Sequence, residues 1–405
     1  MPVSGHFLGR KSIRWGIIGC GEVTEVKSGP GFRKADRSEL VAVMRRTGAL
    51  AEDYARRHGV PRWYDSAEAL IADPGVDAVY VATPPNSHCD YALAVAAAGK
   101  PALVEKPMAR NASECDRMVG AFARAGLPLF VAYYYRSLPC YVRVAELLRD
   151  GAVGTVTGVS YRMAEPHHRR GRPWRVDVAT AGSGHFLDVG SHALDLLDHL
   201  LGPLADVAGG AANLASDYEA EDTVALTFRA PSGALGSMIW NFASAVHDDM
   251  MQIVGTEGEI SFPMYTQRPL MLRTEAGTRE IHVPFPEHVA QPFIQSAVDD
   301  LLGLGSCPST GESARRTSRV MDQVLDAYYG GREDGFWARP GLRPGRGAAG
   351  FRDRGATDKI KGGSGSLTWI LIRWAYRGPT NSLIKRLAFA SAVIRPVAVW
   401  SSASR

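Results

Sequence analysis

Three side chains capable of acid–base chemistry stand beside strand ends or glycine-rich sequence. Lys106 follows the apolar run 102–104, so its ammonium group emerges close to the end of a strand. Asp188 and His192 belong to a later stretch in which three glycines fall within residues 182–190. Lysine and histidine often carry protons in general acid–base catalysis, and a nearby carboxylate can orient a histidine ring. The residue types therefore predict proton transfer at Lys106 and at an oriented Asp188–His192 pair; a purely structural His192 is the alternative.

The glycines after the first apolar run are typical of a nucleotide-binding turn. The sequence GCGEVT at 19–24 varies the G-x-G-x-x-G fingerprint, because a threonine replaces the third small residue. The first glycine permits a tight turn, and the second lets main-chain N–H groups approach a pyrophosphate at the next helix N-terminus. The Gly-Pro-Gly sequence at 29–31 should shorten that helix. We expect cofactor contacts from Gly19, Gly21, Glu22 and Val23, and the alternative is a tight turn without a ligand.

The end of the second apolar run indicates which dinucleotide binds. NAD-selective sites usually place a carboxylate there for the ribose 2′-hydroxyl, but this sequence has Arg45 and Arg46. Guanidinium groups bind a 2′-phosphate through charge-assisted hydrogen bonds. The sequence therefore favours NADP(H), whereas NAD(H) remains possible if both arginines are only solvated charges.

Two further strand ends carry residues that a cofactor could contact, because ligands bind beyond the carboxyl ends of parallel strands. These residues are Thr83, Pro84, Asn86, His88, Glu105 and Lys106. His88 begins a helical pattern, so capping or packing is the simpler role for this side chain.

A metal site is the alternative chemistry of the later stretch. His192, Asp195 and His199 fall at i, i+3 and i+7 of a helix and share one face, which can bind a divalent ion. A helical histidine and aspartate more often satisfy each other or solvent, and hydride transfer to a nicotinamide needs no metal. We therefore predict that the site contains no metal.

Apolar runs alternate with amphipathic stretches in the first part of the chain. The predicted strands are 13–18, 40–44, 78–82, 102–104 and 129–133, and the predicted helices are 49–58, 87–98 and 111–125. Such alternation gives right-handed crossovers and a parallel sheet with helices on both faces. We predict an α/β fold with a doubly wound domain at 12–135.

The pattern changes after residue 135. A helix at 139–149 precedes several strand-like runs, and two helices follow at 291–303 and 311–329. The runs are 155–163, 205–214, 222–229, 234–243 and 249–254. Their apolar–polar alternation is typical of sheets covered on one face. We predict a second, α+β domain at 136–338 with a mostly antiparallel open sheet.

Composition excludes several classes of protein. Hydrophobic residues make up 45% of the 405 residues and charged residues 22%, which leaves enough apolar side chains for a core. Five cysteines without a C-x-x-C pair argue against a disulfide framework or a zinc cluster, so we expect a cytoplasmic protein. No apolar run reaches about 18 residues, so we expect no membrane span.

The net charge of +4 is unevenly distributed. Residues 341–405 contain twelve Lys or Arg and two Asp, which leaves 34 basic and 40 acidic residues in the first 340. The body of the protein is thus mildly acidic and has no nucleic-acid motif, so we expect no nucleic-acid partner. The segment 339–405 is typical of a disordered appendage or an out-of-frame translation product, and a membrane-surface anchor is the alternative.

Taken together, these motifs resemble the glucose–fructose oxidoreductase and inositol dehydrogenase (Gfo/Idh/MocA) family over residues 12–338. The matching sequences are GIIGCGEV, ATPPNSH, VEKP, WR and LDVGSHALDLL. The resemblance implies an N-terminal Rossmann domain and a second domain whose open sheet binds the substrate and forms the interface of a homodimer or homotetramer. It also implies hydride transfer between a nicotinamide and the secondary alcohol or ketone of a sugar, polyol or related small molecule.

The resemblance also assigns roles to particular residues. The catalytic group of the family corresponds to Lys106, Asp188 and His192, and positions near nicotinamide and substrate correspond to Arg136, Trp174 and Arg175. The usual triple glycine is Gly-Ser-Gly at 182–184, followed by His185, which could alter the substrate wall.

Two other functions are compatible with the same motifs. A cofactor-retaining lyase or glycosidase would oxidise, eliminate and re-reduce its substrate, as some relatives do. A sugar-responsive regulator would bind the dinucleotide without turnover, but such relatives can lose the catalytic side chains that are present here. We favour a dehydrogenase in which His192 removes or supplies the hydroxyl proton. Lys106 would hydrogen-bond the same oxygen and relay the proton, and Asp188 would orient the substrate or the histidine.

Overall fold

Six strands form the first sheet of the protein, whose computed structural model describes residues 6–166, 173–333, 335–339, 344–345 and 347–352. These strands are β1 (Ile13–Ile18), β2 (Ser38–Met44), β3 (Arg62–Tyr64), β4 (Ala78–Val81), β5 (Ala102–Val104) and β6 (Leu129–Val131). Their order is β3-β2-β1-β4-β5-β6, and each neighbouring pair is parallel. This order confirms the doubly wound sheet, whose crossovers diverge between β1 and β4, where ligands of such sheets bind.

Helices cover both faces of this sheet. They are α1 (Glu22–Val26), α2 (Ser28–Lys34), α3 (Gly48–His58), α4 (Ala67–Ala72), α5 (His88–Ala97) and α6 (Ala112–Ala125). Every residue of β4 and β5 is buried, which explains why these strands are uniformly apolar rather than alternating.

A second sheet of nine strands follows. Its strands are β7 (Val156–Pro166), β8 (Ala205–Ala212), β9 (Thr223–Arg229), β10 (Leu235–Ser244), β11 (Asp248–Gly255), β12 (Gly258–Phe262), β13 (Leu270–Thr274), β14 (Gly277–Ile281) and β15 (Ala349–Arg352). The order is β14-β13-β12-β11-β7-β10-β9-β8-β15, in which only β7 and β10 pair in parallel. The predicted mostly antiparallel sheet is confirmed.

One face of the second sheet packs against helices. The helices of this part are α7 (Pro139–Arg149), α8 (Val178–Ala181), α9 (Ser191–Leu201), α10 (Gln291–Leu302) and α11 (Gly311–Tyr329). A hydrophobic cluster joins the buried side chains of the sheet to α7, α9 and α11. Residues of β9 and β10 alternate between buried and exposed, so the opposite face of these strands is open.

Helix α10 belongs to the first sheet in space, although it follows the second sheet in the chain. Its Phe293 and Ile294 share a buried cluster with Trp15 of β1 and Phe32 of α2. A Cβ atom on Gly31 would lie 2.7 Å from Cδ1 of Ile294, so α2 and α10 approach closely. This contact positions α10 beside the carboxyl end of the first sheet.

Several short elements were not predicted. They are β3, α4, α8, β12, β13 and β14. β14 is exposed or half-exposed along its whole length and contains the polar sequence GTREI, so it has no apolar alternation to detect. Within the segment predicted as an appendage, residues 349–352 instead form β15 beside β8, and residues 353–405 lie outside the described part of the chain.

The predicted domain limits at residues 135 and 338 stay a prediction. No helix among the described residues combines the length and apolar character needed to cross a bilayer. The two late apolar patches of the sequence, 367–376 and 387–400, lie outside the described residues.

Candidate active site

One cavity contains both proton-carrying side chains predicted from the sequence. Lys106 reaches it from the end of β5, and His192 reaches it from the first turn of α9. The cavity has a volume of about 470 Å³ and is bounded by residues of both halves of the chain. Its other wall residues are Val23, Lys27, Ser28, Tyr80, Leu103, Glu105, Ala132, Tyr134, Ala290, Phe293 and Ile294.

Asp188 binds the ammonium group of Lys106. Lys106 Nζ lies 2.5 Å from Asp188 Oδ1 and 2.9 Å from the Asp188 carbonyl oxygen. The second carboxylate oxygen accepts a hydrogen bond of 3.0 Å from Nε of Arg175. The carboxylate therefore links two cations at the edge of the cavity, rather than pairing with His192 as we expected.

These two cations keep Asp188 ionised. Burial alone would raise the pKa of the carboxyl group, but the charges of Lys106 and Arg175 outweigh it and hold that pKa below its usual range. A permanently charged carboxylate is a suitable anchor for an ammonium group whose position matters for chemistry.

The imidazole of His192 is buried among aromatic rings. It stacks on Tyr135 with a centroid distance of 4.4 Å, and Tyr134 approaches edge-on at 5.3 Å. Its Nδ1 atom has no hydrogen-bond partner among the described residues. Burial, and next the charge of Lys106, lower the pKa of His192 well below its ordinary value. The ring is therefore neutral near pH 7 and can accept a proton.

The backbone before α9 is wound unusually. Residues Phe186–Gly190 form a π-helical turn, a local widening that often occurs at functional sites. The glycine-rich segment after α8 is fixed from two sides: Arg332 donates a hydrogen bond of 2.7 Å to the Gly182 carbonyl, and the Glu221 carboxylate accepts one of 3.1 Å from the N–H of Gly184. These contacts fix the position of the backbone that leads to Asp188 and His192.

The glycine turn has the geometry of a dinucleotide-binding loop. Gly19 has a φ of +90°, and a Cβ atom there would lie 2.7 Å from Cγ2 of Thr83 at the end of β4. Gly21 is the N-cap of α1, and among the described residues no side chain caps this helix end. The first N–H groups of α1 are thus positioned to meet an anion.

The helix after the turn is split rather than shortened. α1 ends at Val26, and α2 begins at Ser28 after a change of backbone direction at Lys27. Gly29 packs so closely that a Cβ atom would overlap the carbonyl oxygen of Thr24 and the hydroxyl of Tyr54. Gly29 therefore provides the close approach that the third glycine of the fingerprint usually allows.

Most of the other predicted cofactor contacts lie at this edge of the sheet. Glu22, Pro84 and Asn86 are exposed, Thr83 is half-buried, and Val23 lines the cavity. Arg45 and Arg46 are exposed directly after β2, and neither forms an ion pair with another described residue. Their guanidinium groups are accessible to a ligand.

Glu105 lies beside the cavity but is already hydrogen-bonded. Its Oε1 accepts from the hydroxyl of Tyr80 at 2.5 Å, and its Oε2 accepts from the main-chain N–H of Lys106 at 3.1 Å. These bonds fix the turn that directs the Lys106 side chain. Glu105 is thus in place to position Lys106, and it also forms part of the cavity wall.

Two predicted cofactor contacts have partners inside the protein. The ring nitrogens of His88 lie 2.6 Å from the Thr83 carbonyl and 3.0 Å from the Pro107 carbonyl, so this buried side chain connects two strand-end loops. Arg136 is buried and bonds both carboxylate oxygens of Asp195 at 2.7 Å. Neither residue lines the cavity, and both have a structural role in this geometry. Their contact with a cofactor stays a prediction.

The same ion pair bears on the metal alternative. Because Asp195 binds Arg136, it is not oriented with His192 and His199 toward a common ion. Among the described residues, no group of three His, Cys, Asp or Glu side chains is arranged to bind a metal.

Trp174 and Arg175 lie at the outer side of the site. The guanidinium of Arg175 stacks over the Trp174 ring at 4.3 Å while its Nε bonds Asp188. Trp174 is 37% exposed, so it can contact a ligand that enters from solvent.

Several residues that line the cavity were not predicted from the sequence, among them Lys27, Tyr134 and the residues of α10. Lys27 lies in the helix that the Gly-Pro-Gly sequence was expected to shorten, and Tyr134 directly follows the predicted strand 129–133. The late helix α10 supplies Phe293 and Ile294, but only its packing against the body was predicted. A charged residue two positions before the Gly-Pro-Gly sequence was the one available signal for Lys27.

Comparisons with known proteins agree with this geometry. Residues 13–133 match the model of an oxidoreductase family with an NAD-binding Rossmann fold, GFO_IDH_MocA, and residues 141–261 match a GFO/IDH/MocA C-terminal domain. An oxidoreductase of Formosa agariphila is 36% identical over 315 residues, which are 76% of this chain and 97% of that protein.

The names of two other similar proteins state an activity. The 1,5-anhydro-D-fructose reductase of Ensifer adhaerens is 28% identical, with 74% of this chain and 91% of that protein covered. The crystal structure of an aldose–aldose oxidoreductase from Caulobacter crescentus in complex with glycerol superimposes with a TM-score of 0.69 at 25% identity, covering 77% of this chain and 96% of that one. The chain belongs to the Gfo/Idh/MocA family of oxidoreductases.

Proposed function

We propose that this protein is an NAD(P)-dependent dehydrogenase or reductase that interconverts a secondary alcohol and a ketone on a sugar, polyol or related small molecule. The observation that carries the proposal is the single cavity lined by Lys106 and His192, with Asp188 bonded to the lysine. The 1,5-anhydro-D-fructose reductase and the myo-inositol 2-dehydrogenase among the relatives support this substrate class.

The glycine turn fits a dinucleotide. A Cβ atom on Gly21 would have only the Gly19 carbonyl oxygen near it, at 3.8 Å, so space is open beside this glycine. The uncapped start of α1 offers N–H groups to a pyrophosphate in that space. When bound, the nicotinamide accepts or supplies the hydride. The contacts that we propose are those of the turn, of Arg45 and Arg46, and of the strand-end residues Thr83, Pro84 and Asn86.

The remaining chemistry is proton transfer by this chain's own side chains. Neutral His192 accepts the hydroxyl proton during oxidation and returns it during reduction. The ammonium of Lys106 has three N–H donors, of which Asp188 accepts two, so one remains for the substrate oxygen. Asp188, bonded also to Arg175, fixes the direction of that third donor.

Removing either proton-carrying side chain tests the proposal. Lys106→Ala and His192→Ala should each lower kcat by about 100-fold or more, because each removes a positioned acid–base group. The assay follows nicotinamide absorbance with 1,5-anhydro-D-fructose and a panel of sugars and polyols. Circular dichroism and thermal unfolding check that both variants stay folded.

Exposed residues of the same types provide matched controls. Lys11→Ala and His282→Ala change side chains at the surface and should retain normal turnover. Near-normal kcat in both Lys106→Ala and His192→Ala would reject the assignment. Substrate conversion without net absorbance change would indicate a cofactor-retaining lyase instead.

Arg45 and Arg46 favour NADP(H) as the cofactor. Replacing both with alanine should raise the Kd for NADP⁺ by about 10-fold or more, since each charged hydrogen bond to the 2′-phosphate is lost. The Kd for NAD⁺ should change much less, because NAD⁺ lacks that phosphate. Isothermal titration gives both constants, with the exposed Arg149→Ala as control. A lower Kd for NAD⁺ than for NADP⁺ in the unaltered protein would overturn this choice.

We also propose self-association through the open face of the second sheet. Leu235 and Ile239 of β10 and Val254 of β11 project from this face and are 66%, 40% and 38% exposed. Burying such side chains against a second copy is favourable, so a homodimer or homotetramer is expected. Light scattering in solution measures the mass.

All five cysteines are free thiols, which fits a cytoplasmic compartment.

A further inference from the structure

A second ammonium group enters the active-site cavity. Lys27 lies at the break between α1 and α2 and lines the same cavity as Lys106 and His192. Its charge is close enough to add to that of Lys106 in lowering the pKa of His192. Lys27 is therefore part of the electrostatic environment of the reacting group, although no sequence motif includes it.

Lys27 has no counter-charge within the described part of the protein. The two carboxylates near the cavity have other partners: Asp188 binds Lys106 and Arg175, and Glu105 accepts from Tyr80 and the Lys106 main chain. The main-chain N–H of Lys27 donates to the Val23 carbonyl at 3.1 Å, but no hydrogen bond or ion pair joins its side chain to another described residue. By contrast, Lys34 at the end of α2 forms an ion pair of 2.8 Å with Glu287.

The remaining wall near Lys27 is mostly apolar. It includes Val23 of α1 and three residues of α10, Ala290 at its N-cap, Phe293 and Ile294. Lys27 itself is exposed, so water reaches its ammonium group in the structure. An anionic group bound between this ammonium and the apolar wall would displace part of that water, which strengthens the attraction. An anion bound there would also lower the electrostatic repulsion between the two lysines.

The position of Lys27 distinguishes substrate from cofactor. The pyrophosphate of a dinucleotide binds at the glycine turn before α1, whereas Lys27 follows the last residue of this five-residue helix. The intervening helix is about 8 Å long at 1.5 Å per residue. The ammonium group therefore lies on the side of Lys106 and His192, where the reacting carbon must be.

We infer that Lys27 binds an anionic group of the substrate, so that the preferred substrate is an acidic sugar derivative with a carboxylate or phosphate ester near the reacting alcohol. This inference rests on the proposed dehydrogenase function and specifies its substrate class. The carboxylate of a uronic acid and the phosphate of a sugar phosphate share the required charge, and the experiment below separates them.

The test compares neutral and acidic members of matched sets with the cofactor-saturated, full-length protein. The probes are D-glucose, D-glucuronate and D-glucose 6-phosphate, and the corresponding D-galactose set. At least one acid should bind and turn over about 10-fold better than its neutral parent in the unaltered protein. Lys27→Met, which keeps the length of the side chain but removes the charge, should lower the acid-to-neutral ratio of kcat/KM by about 10-fold or more.

Controls separate the possible failures. Lys34→Met removes a nearby lysine outside the cavity and should leave the acid-to-neutral ratio unchanged. Equal ratios in Lys27→Met and the unaltered protein, or a preference for the neutral sugars in every set, overturn the inference. If Lys27→Met raises the Kd for NADP⁺ by the same factor by which it lowers the acid-to-neutral ratio of kcat/KM, then Lys27 binds the cofactor. That result also overturns the inference. If no probe is turned over, titration calorimetry of the same sets still measures the ratio, so that failure of the dehydrogenase proposal is seen separately.

Discussion

Burial determines the protonation state of His192. The ring is 4% exposed and packs against aromatic side chains, so the charged imidazolium loses its hydration. The nearby ammonium of Lys106 disfavours that charge further, whereas the carboxylate of Asp188 opposes the shift only in part. The side chain is thus prepared to accept a proton from an alcohol without first having to lose one.

This protonation state predicts the pH dependence of oxidation. Below its pKa in the folded protein the imidazole is protonated and cannot act as a base, so kcat/KM for alcohol oxidation falls on the acid side. Because the folded pKa lies well below the ordinary 6.5, that acid limb should be centred below pH 6.5. A pH profile of kcat/KM between pH 4.5 and about 9 measures it. An acid limb above pH 6.5 that disappears in His192→Gln would contradict the assignment.

Residue identities were easier to predict than residue partners. The spacing of Asp188 and His192 suggested a bonded pair, but the π-helical turn Phe186–Gly190 separates them and directs the carboxylate toward Lys106. That turn is compatible with close packing of Phe186, whose ring occupies the space a Cβ atom on Gly190 would need. A winding of this kind depends on packing, which no local residue pattern reveals.

Among the elements, the broken helix after the glycine turn has the most direct effect on the site. Its break places Lys27 on the cavity wall, and Gly29 in the second piece packs against the first piece. The Tyr54 hydroxyl donates to the Thr24 carbonyl at 2.9 Å in the same contact. Close approach of α1, α2 and α3 thus depends on the absence of a side chain at position 29.

Adding one methyl group at this contact should destabilise the protein. Gly29→Ala should lower the free energy of unfolding by about 1 to 3 kcal/mol, because neither the Thr24 carbonyl nor the buried Tyr54 ring can move away freely. Gly120→Ala is the matched control in α6, since its Cβ atom would meet only the mobile end of Arg124 at 3.2 Å. The control should stabilise by up to about 1 kcal/mol through its higher helix propensity. Urea unfolding measures both, and equal effects would show that the packing argument is incorrect.

Long elements with strong periodicity were predicted well, and short ones were not. The five parallel strands identified from apolar runs, and helices such as α7 and α11, are present at nearly the expected positions. β3 has three residues and lies at a sheet edge, and β12 to β14 carry polar residues, so neighbouring strands rather than their own sequences determine them.

At the scale of the whole molecule, a buried ion network joins distant parts of the chain. Arg136, in the turn after β6, binds Asp195 and Asp198 of α9, and Arg316 of α11 binds Asp198 at 2.7 Å. The side chains of Arg136 and Asp195 are 4% and 1% exposed. A charge left unpaired in such a place is strongly unfavourable, so the network ties the end of the first sheet to the helices of the second.

Breaking this network should cost more stability than removing both charges. Arg136→Met should lower the free energy of unfolding by about 3 to 5 kcal/mol, because it leaves the Asp195 carboxylate buried without its partner. The double variant Arg136→Met, Asp195→Leu should recover part of that loss. Arg319→Met, which breaks an exposed pair with Asp116, should change it by at most about 1 kcal/mol. Urea unfolding provides the values, and a double variant less stable than Arg136→Met would refute the argument.

The return of α10 to the first sheet determines the order in which parts of the protein can fold during translation. The apolar cluster containing Trp15 and Phe32 is completed by side chains up to Cys307, so a nascent chain on the ribosome cannot close it until most of the second sheet has been translated. During that interval the newly made nucleotide-binding half exposes the apolar side chains of this cluster. The second sheet must fold while they are exposed. Folding of the two halves is therefore coupled in time as well as in space.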